Sequence, residues 1–368
     1  MAIYKLFPTQ DTTLYSMYPE MNTGLDEILE ASLEVGALGT PSPQASRFLI
    51  QFSSDEISDI LNKISGSQWQ SNLRCFLADV TALNANTVVE TYPVSQSWNM
   101  GTGRFGNSPQ TIDGASWIWR DYQGNNVWTN GTFNPNTTAS YTSSVDVGGG
   151  TWYTSTSGSQ AFNYYSDKDI NINVTNIVNE WNSGSLENNG FIVKQQVEFI
   201  NDENVQPKLK YFSIDTHTIY PPCLEFKWDD YIWNTGSSTL STITELPIIA
   251  TLENNPGTFY LDSINEFRVY VRPEYPPRVF STSSIYTQNY YLPEGQSSYA
   301  IKDLYTNEFV VDFDNVYTKI SADETSCYFT VFMNGLEPER YYKILIKTII
   351  NGNVVVLDDN YNFKIING

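Results

Sequence analysis

The residues that could perform acid, base or nucleophilic chemistry do not occur in a catalytic arrangement. His217 is the single histidine of the chain, and it stands in a Thr-His-Thr segment typical of an ordinary surface or strand position. A histidine-based triad would depend on this residue alone. The chain has no Gly-x-Ser-x-Gly nucleophile motif and no cluster of Cys and His with metal-binding spacing. The sequence therefore predicts a protein that is not an enzyme.

Paired carboxylates are the remaining candidates for chemistry. Asp167 with Asp169, and Asp229 with Asp230, have the residue types that a glycosidase pair or a calcium site needs. However, the chain contains 41 acidic residues, so such pairs are expected by chance. Nothing in the sequence indicates that the carboxylates of either pair converge on one site. We predict no hydrolase activity and no cofactor, and a structural calcium ion is the alternative left open.

A glycine-rich segment matches a dinucleotide-binding motif in letters only. The segment is Gly101-Thr-Gly-Arg-Phe-Gly106. A functional motif needs a buried strand before it and a helix after it. Here Trp98-Asn-Met100 precedes the glycines and Asn107-Ser-Pro109 follows them, so we predict a loop and no bound dinucleotide.

The charge excludes two classes of partner. The chain carries 41 acidic and 20 basic side chains, which gives a net charge of -21. Such a chain is repelled by the phosphates of nucleic acids and by an anionic membrane surface. High net charge also keeps proteins soluble and prevents non-specific association. We therefore expect neither nucleic acid nor membrane as a partner.

Cysteine usage and the opening segment bear on where the protein is made. Cys75, Cys223 and Cys327 are far apart, and an odd number of cysteines is unsuited to a disulfide framework, so buried thiols are expected. The opening Met1-Ala-Ile-Tyr-Lys-Leu-Phe-Pro8 has the pattern of a strand and not that of a signal peptide. No apolar run is long enough for a membrane span. These features predict a soluble protein made in the cytosol.

Aromatic content favours β-structure, with one early exception. Aromatic residues make up 14% of the chain, including 25 Tyr and 19 Phe, and these residue types are enriched in strands. The exception begins at Ser53, which has capping-box spacing to Glu56. Apolar residues at helical spacing follow over 57–64, so a short amphipathic helix is predicted there.

A second short helix is predicted near the middle of the chain. Alternating apolar residues over 170–174 indicate a half-buried strand. Asn173 or Thr175 can then cap a helix, and apolar residues over 177–181 fall on one helical face. Gly184 is the expected end of this helix.

Several segments of residues 1–230 share motifs with a known module. They are Asn22-Thr-Gly24, Arg47-Phe-Leu-Ile-Gln-Phe52, Trp98 with the following Gly101-Thr-Gly103, Asp113-Gly-Ala-Ser-Trp117 and the strand–helix segment 164–181. Together these segments resemble a DNRLRE-type domain, the jelly-roll module that is also called disaggregatase-related. The resemblance implies a jelly-roll-like β-sandwich and a module without a fixed chemistry.

The remainder of the chain has the features of a second sandwich. Leu336-Glu-Pro-Glu-Arg-Tyr-Tyr342 resembles the tyrosine corner of fibronectin-type and immunoglobulin-like domains, in which the Tyr hydroxyl bonds to nearby backbone. Asn351-Gly352 lies between alternating apolar runs and predicts a β-hairpin.

The predicted fold class is all-β. An N-terminal jelly-roll-like β-sandwich with two short helices spans 1–230, and an immunoglobulin-like β-sandwich spans 231–368. The Ser/Thr-rich run at 235–242 is typical of a connector. We therefore expect each part to fold alone.

Tryptophans are the candidate carbohydrate-binding residues. Exposed aromatic rings stack on sugar rings, but large aromatic side chains also dominate protein cores. Trp98 and Trp117 belong to the shared motifs and are interpreted as core residues. For Trp119, Trp128 and Trp152 both interpretations stay open, and these three are the candidate glycan-facing residues.

A basic and aromatic segment of the second domain is the candidate protein interface. Residues 266–278 combine Tyr270, Arg272, Tyr275 and Arg278, which are residue types favoured at interfaces. The alternative is an ordinary edge strand whose prolines block further pairing. We predict that this segment docks against another chain.

These observations predict a structural protein of a tailed bacteriophage, located in the neck, tail, baseplate or head fibre of the virion. The resemblance, the missing signal peptide and the missing catalytic arrangement support this class. Such a protein is made in the cytoplasm of the bacterial host, forms a homo-oligomer in the particle and contacts other virion proteins. The alternative is a carbohydrate-binding adhesin for host surface glycans.

Overall fold

The computed structural model describes residues 2–34, 44–64, 66–81, 86–128, 138–142, 147–196, 207–275 and 288–367. Within these ranges the protein is all-β apart from short helices, which confirms the predicted fold class. The α-helices are α1 (Ser54–Lys63) and α2 (Thr175–Asn182), and a 3₁₀ turn spans Met333–Gly335.

The strands up to Trp228 are β1 (Ala2–Leu6), β2 (Gln10–Tyr15), β3 (Ile28–Glu34), β4 (Gln44–Gln51), β5 (Trp69–Cys75), β6 (Leu77–Thr81), β7 (Thr87–Pro93), β8 (Trp119–Asp121), β9 (Asn126–Val127), β10 (Thr138–Thr142), β11 (Val147–Tyr153), β12 (Gly158–Phe162), β13 (Ile170–Asn173), β14 (Phe191–Gln195), β15 (Lys208–Phe212) and β16 (Cys223–Trp228). The later strands are β17 (Ile248–Leu252), β18 (Thr258–Tyr260), β19 (Ile264–Pro273), β20 (Ser297–Asp303), β21 (Phe309–Val311), β22 (Ser321–Ala322), β23 (Cys327–Phe332), β24 (Tyr341–Ile350), β25 (Asn353–Leu357) and β26 (Asn362–Ile366).

The chain forms two compact units. The N-terminal unit consists of Leu6–Lys63 and Gln70–Glu225, and the C-terminal unit consists of Met1–Lys5, Ile64–Trp69 and Phe226–Gly368. Two early segments of the sequence therefore belong to the C-terminal unit. Separate folding of 1–230 and 231–368 stays a prediction.

The larger sheet of the N-terminal unit buries both faces of its strand β4. This sheet has the order β12-β7-β14-β4-β3-β15-β6, with β2 also paired with β4, and a separate sheet has the order β1-β16-β5-β13. Phe48 and Leu49 are consecutive in β4, so they point to opposite faces, and both are fully buried. The larger sheet is therefore covered on both sides along this strand.

The two helices lie where the sequence predicted them. In α1, the Glu56 backbone N–H donates to Ser53 Oγ at 3.4 Å, as a capping box requires. The N-cap of α2 is Val174, so no side chain caps this helix directly. Asn173 Oδ1 instead accepts from the Thr175 N–H at 3.0 Å, which corrects the expected cap. Gly184 follows the helix with a φ of 73°, the left-handed conformation that ends many helices.

The C-terminal unit is a sandwich of two sheets. One has the order β17-β19-β23-β22, and the other has the order β18-β26-β24-β20-β21, with β25 paired with β24. The aromatic rings between the sheets stack: Phe267 lies 5.4 Å from Phe329, and Tyr299 of the facing sheet lies 4.1 Å from Phe329. This stack forms the centre of the core.

Two local predictions for the C-terminal unit are confirmed. The Tyr342 hydroxyl donates to the Glu337 carbonyl at 3.2 Å, so the tyrosine corner is present. Asn351 and Gly352 have φ values of 50° and 79°, as a tight hairpin turn between β24 and β25 requires.

The cysteines also agree with the sequence analysis. Cys75, Cys223 and Cys327 are buried free thiols, as expected.

Candidate functional site

Three of the four paired carboxylates bond to backbone N–H groups, and the exposed His217 Nε2 lies 3.6 Å from Glu27 Oε1. Asp167 accepts from the Asp169 N–H at 3.2 Å, and Asp169 accepts from the Leu77 N–H at 2.8 Å. Asp229 likewise accepts from the Tyr231 N–H at 3.0 Å. In the described ranges no group of three or more His, Cys, Asp or Glu side chains is placed to hold a metal ion. Asp167 and Asp229 therefore stabilise local backbone, and Asp169 holds a backbone N–H group 92 positions away.

The glycine-rich segment is a tightly packed loop, as predicted. The Asn22 side chain accepts from Gly103 N–H at 2.7 Å and donates to the carbonyls of Met100 at 2.7 Å and Ala115 at 2.8 Å. A Cβ atom at Gly103 would lie 2.1 Å from the Asn22 carbonyl oxygen. The glycine permits this close approach, and Asn22 thereby fixes the position of the loop.

A buried arginine packs against two of the tryptophans in the core of the N-terminal unit. Arg47 in β4 is 0% exposed, and its guanidinium lies 4.9 Å from the Trp117 ring centroid and 5.1 Å from that of Trp152. Arg47 Nη1 also donates to the Gly149 carbonyl at 2.5 Å. We call Arg47, Trp117 and Trp152 the buried arginine stack. Trp117 is thus a core residue, as predicted.

The glycan-facing interpretation fails for two of its three residues. Trp128 is 2% exposed and Trp152 is 5% exposed, and Trp128 Nε1 donates to the Ser116 carbonyl at 2.9 Å. Because neighbouring side chains cover these rings, neither can offer a face to a sugar. Trp119 is half-buried and lies edge-on to Tyr122 at 5.2 Å. Its role stays a prediction.

The candidate interface segment 266–278 is only partly described. Tyr270 donates to Glu253 Oε2 at 3.2 Å, Arg272 Nη1 donates to the Pro273 carbonyl at 3.2 Å, and Tyr275 is exposed. Arg278 lies outside the described residues. The docking role stays a prediction.

The edge-strand alternative for the same segment is wrong. Strand β19 pairs with β17 through its later residues and with β23 through its earlier ones. It is therefore an interior strand of its sheet. Pro273 itself pairs with Ile248 at the end of β19, so this proline does not mark an edge strand.

An open cleft of about 510 Å³ lies in the N-terminal unit. Its floor is a row of paired residues across four strands, in which Tyr15 pairs with Ser46, Ser46 with Ser32 and Ser32 with Lys208. Glu30 and Lys210 form the adjacent pair. Directly paired residues of antiparallel strands share a face, so these side chains form one surface.

An aromatic wall stands on one side of this cleft. Phe105, from the loop fixed by Asn22, lies 5.2 Å from the Tyr15 ring and 6.0 Å from the Tyr18 ring. The Phe105 N–H donates to Asp26 Oδ2 at 2.8 Å, and burial raises the pKa of the Asp26 carboxyl. We call the site bounded by Phe105, Tyr15, Tyr18, Asp26 and the strand row the aromatic cleft.

An exposed surface of the C-terminal unit combines cations with aromatic rings. Register places Lys302 beside Lys343, Lys347 beside Val356, and Tyr341 beside Lys364, so these residues share the outward face of the sheet. The cations lie 4.7–5.9 Å from ring centroids in the pairs Lys302–Phe309, Lys347–Phe313, Lys364–Tyr341 and Arg340–Tyr305. These four pairs define the lysine–aromatic face.

Sequence reasoning missed both surfaces. The alternation of Tyr341, Lys343 and Lys347 along β24 was a usable signal, since period-two residues share a face. The exposed Phe105 between glycines and polar residues was a weaker signal for the aromatic cleft. Nothing local connected Phe105 with Tyr15.

Comparison with known proteins gives little. No family model matches the chain, and no curated protein matches it. Among solved structures, the β-glucuronidase of Parabacteroides merdae is 10% identical with a TM-score of 0.16, covering 96% of this chain and 36% of that one. A TM-score this low supports no argument about fold or activity. Of the described helices, none is both long and apolar enough to cross a membrane.

Proposed function

We propose that the protein is a structural component of a tailed-phage virion that acts through protein contacts and has no catalytic role. The DNRLRE-type motifs, the acidic charge and the structural use of the candidate carboxylates support this proposal. The observation that carries the contact role is the lysine–aromatic face. It is the proposed contact surface.

The apolar side chains of this face remain accessible. Tyr305, Tyr341 and Phe309 are exposed, as are Val354 and Val356 in the neighbouring strand β25. Contiguous exposed apolar residues with a polar surround are typical of protein interaction sites. Aromatic residues are also enriched at such sites.

Two lysines leave positive charge available to a partner. Lys343 and Arg340 are neutralised by Asp358 at 3.0 Å and Asp303 at 2.6 Å. Within the part of the chain that the structure describes, Lys302 and Lys347 have ring contacts and no ion-pair partner. The face therefore suits an acidic protein surface.

The proposed occupant is a second copy of this chain. With a net charge of -21, each copy offers acidic surface. Pairing the face with itself would bring lysines together, so the contact is head-to-tail, between this face and an acidic region of the next copy. Head-to-tail contacts generate rings when the rotation closes, which suits a virion component.

The charge reversal Lys347→Glu tests this contact. We expect the wild-type protein to form oligomers in analytical ultracentrifugation, and Lys347→Glu to shift the population to monomer because it places an acid against an acidic partner. Lys63→Glu, at the end of α1 in the other unit, is the control with the same charge change. A wild-type protein that stays monomeric at all concentrations, or equal behaviour of the two variants, would contradict the proposal.

The virion assignment has its own test. Mass spectrometry of purified phage particles should recover this protein with the known structural proteins. Its complete absence from the particles would reject the assignment even if the protein forms oligomers.

The alternative function, a carbohydrate-binding adhesin, cannot rest on Trp128 and Trp152, because both are buried. Of the three candidate glycan-facing residues, the half-buried Trp119 stays available for this role.

A further inference from the structure

The aromatic cleft combines an exposed ring with charged side chains, and the proposed contact through the lysine–aromatic face does not involve it. We propose that it binds a neutral oligosaccharide, with one sugar ring packed on Phe105 and the sugar hydroxyls bonded by Glu30 and Lys210. This inference is independent of the proposed contact surface, because every residue of the cleft belongs to the N-terminal unit.

The aromatic wall is fixed before any ligand arrives. The Phe105 N–H is held by Asp26, and the Leu25 N–H donates to the Gly103 carbonyl at 2.8 Å. Asn22 anchors the same loop from the interior. Binding therefore does not have to order this loop, which removes a common entropic cost of recognition.

The Phe105 ring offers a flat apolar surface to a ligand. Phe105 is 53% exposed, and it lies edge-on to Tyr18 at an interplanar angle of 76° and tilted by 53° against Tyr15. These two contacts hold the Phe105 ring in place and leave part of it accessible. The accessible part of this ring matches the C–H face of a pyranose ring.

The opposite side of the cleft supplies both acceptors and donors. Glu30 accepts from Ser32 Oγ at 2.6 Å and from Ser46 Oγ at 3.3 Å, and Lys210 Nζ lies 3.9 Å from its carboxylate. A hydroxyl group both donates and accepts. A sugar can therefore bond to the carboxylate and to the ammonium group at once.

Charge and size restrict the ligand class. Asp26 and Glu30 are balanced by Lys208 and Lys210 around the cleft, so neither a strong anion nor a strong cation is favoured. The volume of about 510 Å³ lies in the range of small-molecule sites, about 300–1,000 Å³. A neutral di- or trisaccharide segment fits both conditions.

A glycan array followed by calorimetry tests the site. The array should present neutral tri- and tetrasaccharides of glucose, galactose, mannose and N-acetylglucosamine, together with uronic-acid oligosaccharides and choline. We expect retention of at least one neutral oligosaccharide. Phe105→Ala should weaken its binding about tenfold or more, the size expected for loss of one aromatic contact.

Three further variants separate the site from general effects. Tyr165→Ala removes an aromatic side chain that is 92% exposed in the same unit and should leave affinity unchanged. Phe105→Leu keeps an apolar side chain without the ring and should still weaken binding. Glu30→Gln should weaken it as well. Absence of any neutral ligand, equal binding by Phe105→Ala and Tyr165→Ala, or selective binding of choline or uronic acids would overturn the proposal.

Discussion

Cations lie against aromatic rings in both units, but the surroundings of the two sets differ. In the buried arginine stack of the N-terminal unit, Arg47 is enclosed between Trp117 and Trp152 and bonded to the Gly149 carbonyl. On the lysine–aromatic face of the C-terminal unit, Lys302 and Lys347 lie over rings that solvent can reach.

This difference separates stability from recognition. A cation–π contact contributes about 0.5–1 kcal/mol at exposed sites and about 2 kcal/mol or more when desolvated. The buried stack therefore belongs to the core, and removal of its cation leaves a cavity and an unpaired carbonyl. The exposed pairs contribute little to folding, so their side chains are available to a partner.

The largest expected effect is on the buried stack. Arg47→Ala should lower the free energy of unfolding by about 3–5 kcal/mol, as expected when one partner of a buried polar contact is removed and a cavity is created. Urea denaturation measures the change. Arg104→Ala, at an exposed arginine of the same unit, is the control and should change stability by less than about 0.5 kcal/mol. Equal effects of the two substitutions on the free energy of unfolding would show that the buried arginine contributes no more to stability than an exposed one.

Asp11, a buried carboxyl of the N-terminal unit, extends the comparison from a buried cation to a buried acid. Burial raises the pKa of Asp11 to about 8 from 3.8, the Ile214 N–H opposes this shift, and Asp215 and Asp26 add to it. Between these values the folded protein binds a proton that the unfolded chain has released. Asp11 therefore makes the unfolding free energy fall as pH rises through this window, by about 1.4 kcal/mol per pH unit.

Urea denaturation from pH 4 to pH 8 measures this contribution. Asp11→Asn keeps an acceptor for the Ile214 N–H and cannot titrate, so the stability of the wild-type protein relative to this variant should decrease over the range. Other acids titrate in both proteins and cancel in the difference. A relative stability that is flat or rises with pH would show that Asp11 is charged in the folded protein.

The smallest expected effect is at the exposed pair. Lys347→Ala should change the free energy of unfolding by at most about 0.5–1 kcal/mol, because a cation–π contact near the surface, such as that of Lys347 with the Phe313 ring, contributes no more than this. Thermal and urea unfolding of dilute monomer provide the measurement. A loss close to that of Arg47→Ala would mean that this face is part of the folding core and unsuited to docking.

Much of the fold follows from local sequence. Capping-box spacing at Ser53 and Glu56 located α1, and the Asn351-Gly352 turn located the hairpin of β24 and β25. The tyrosine corner at Tyr342 was also predicted. These features depend on residues a few positions apart, whose backbone preferences hold in any fold.

Tertiary structure alone decided which aromatic residues are covered and which form a site. Arg47 bonds to a carbonyl 102 positions away, and Phe105 meets Tyr15 because Asn22 and Asp26 hold the loop that carries Phe105. Alternation along a strand identifies residues that share a face, but it does not say whether that face meets solvent, a loop or another sheet. What a strand face meets depends on which distant strands pair with it. Local sequence therefore determined the helices, strands and turns, and the pairing of distant strands determined the buried arginine stack, the aromatic cleft and the lysine–aromatic face.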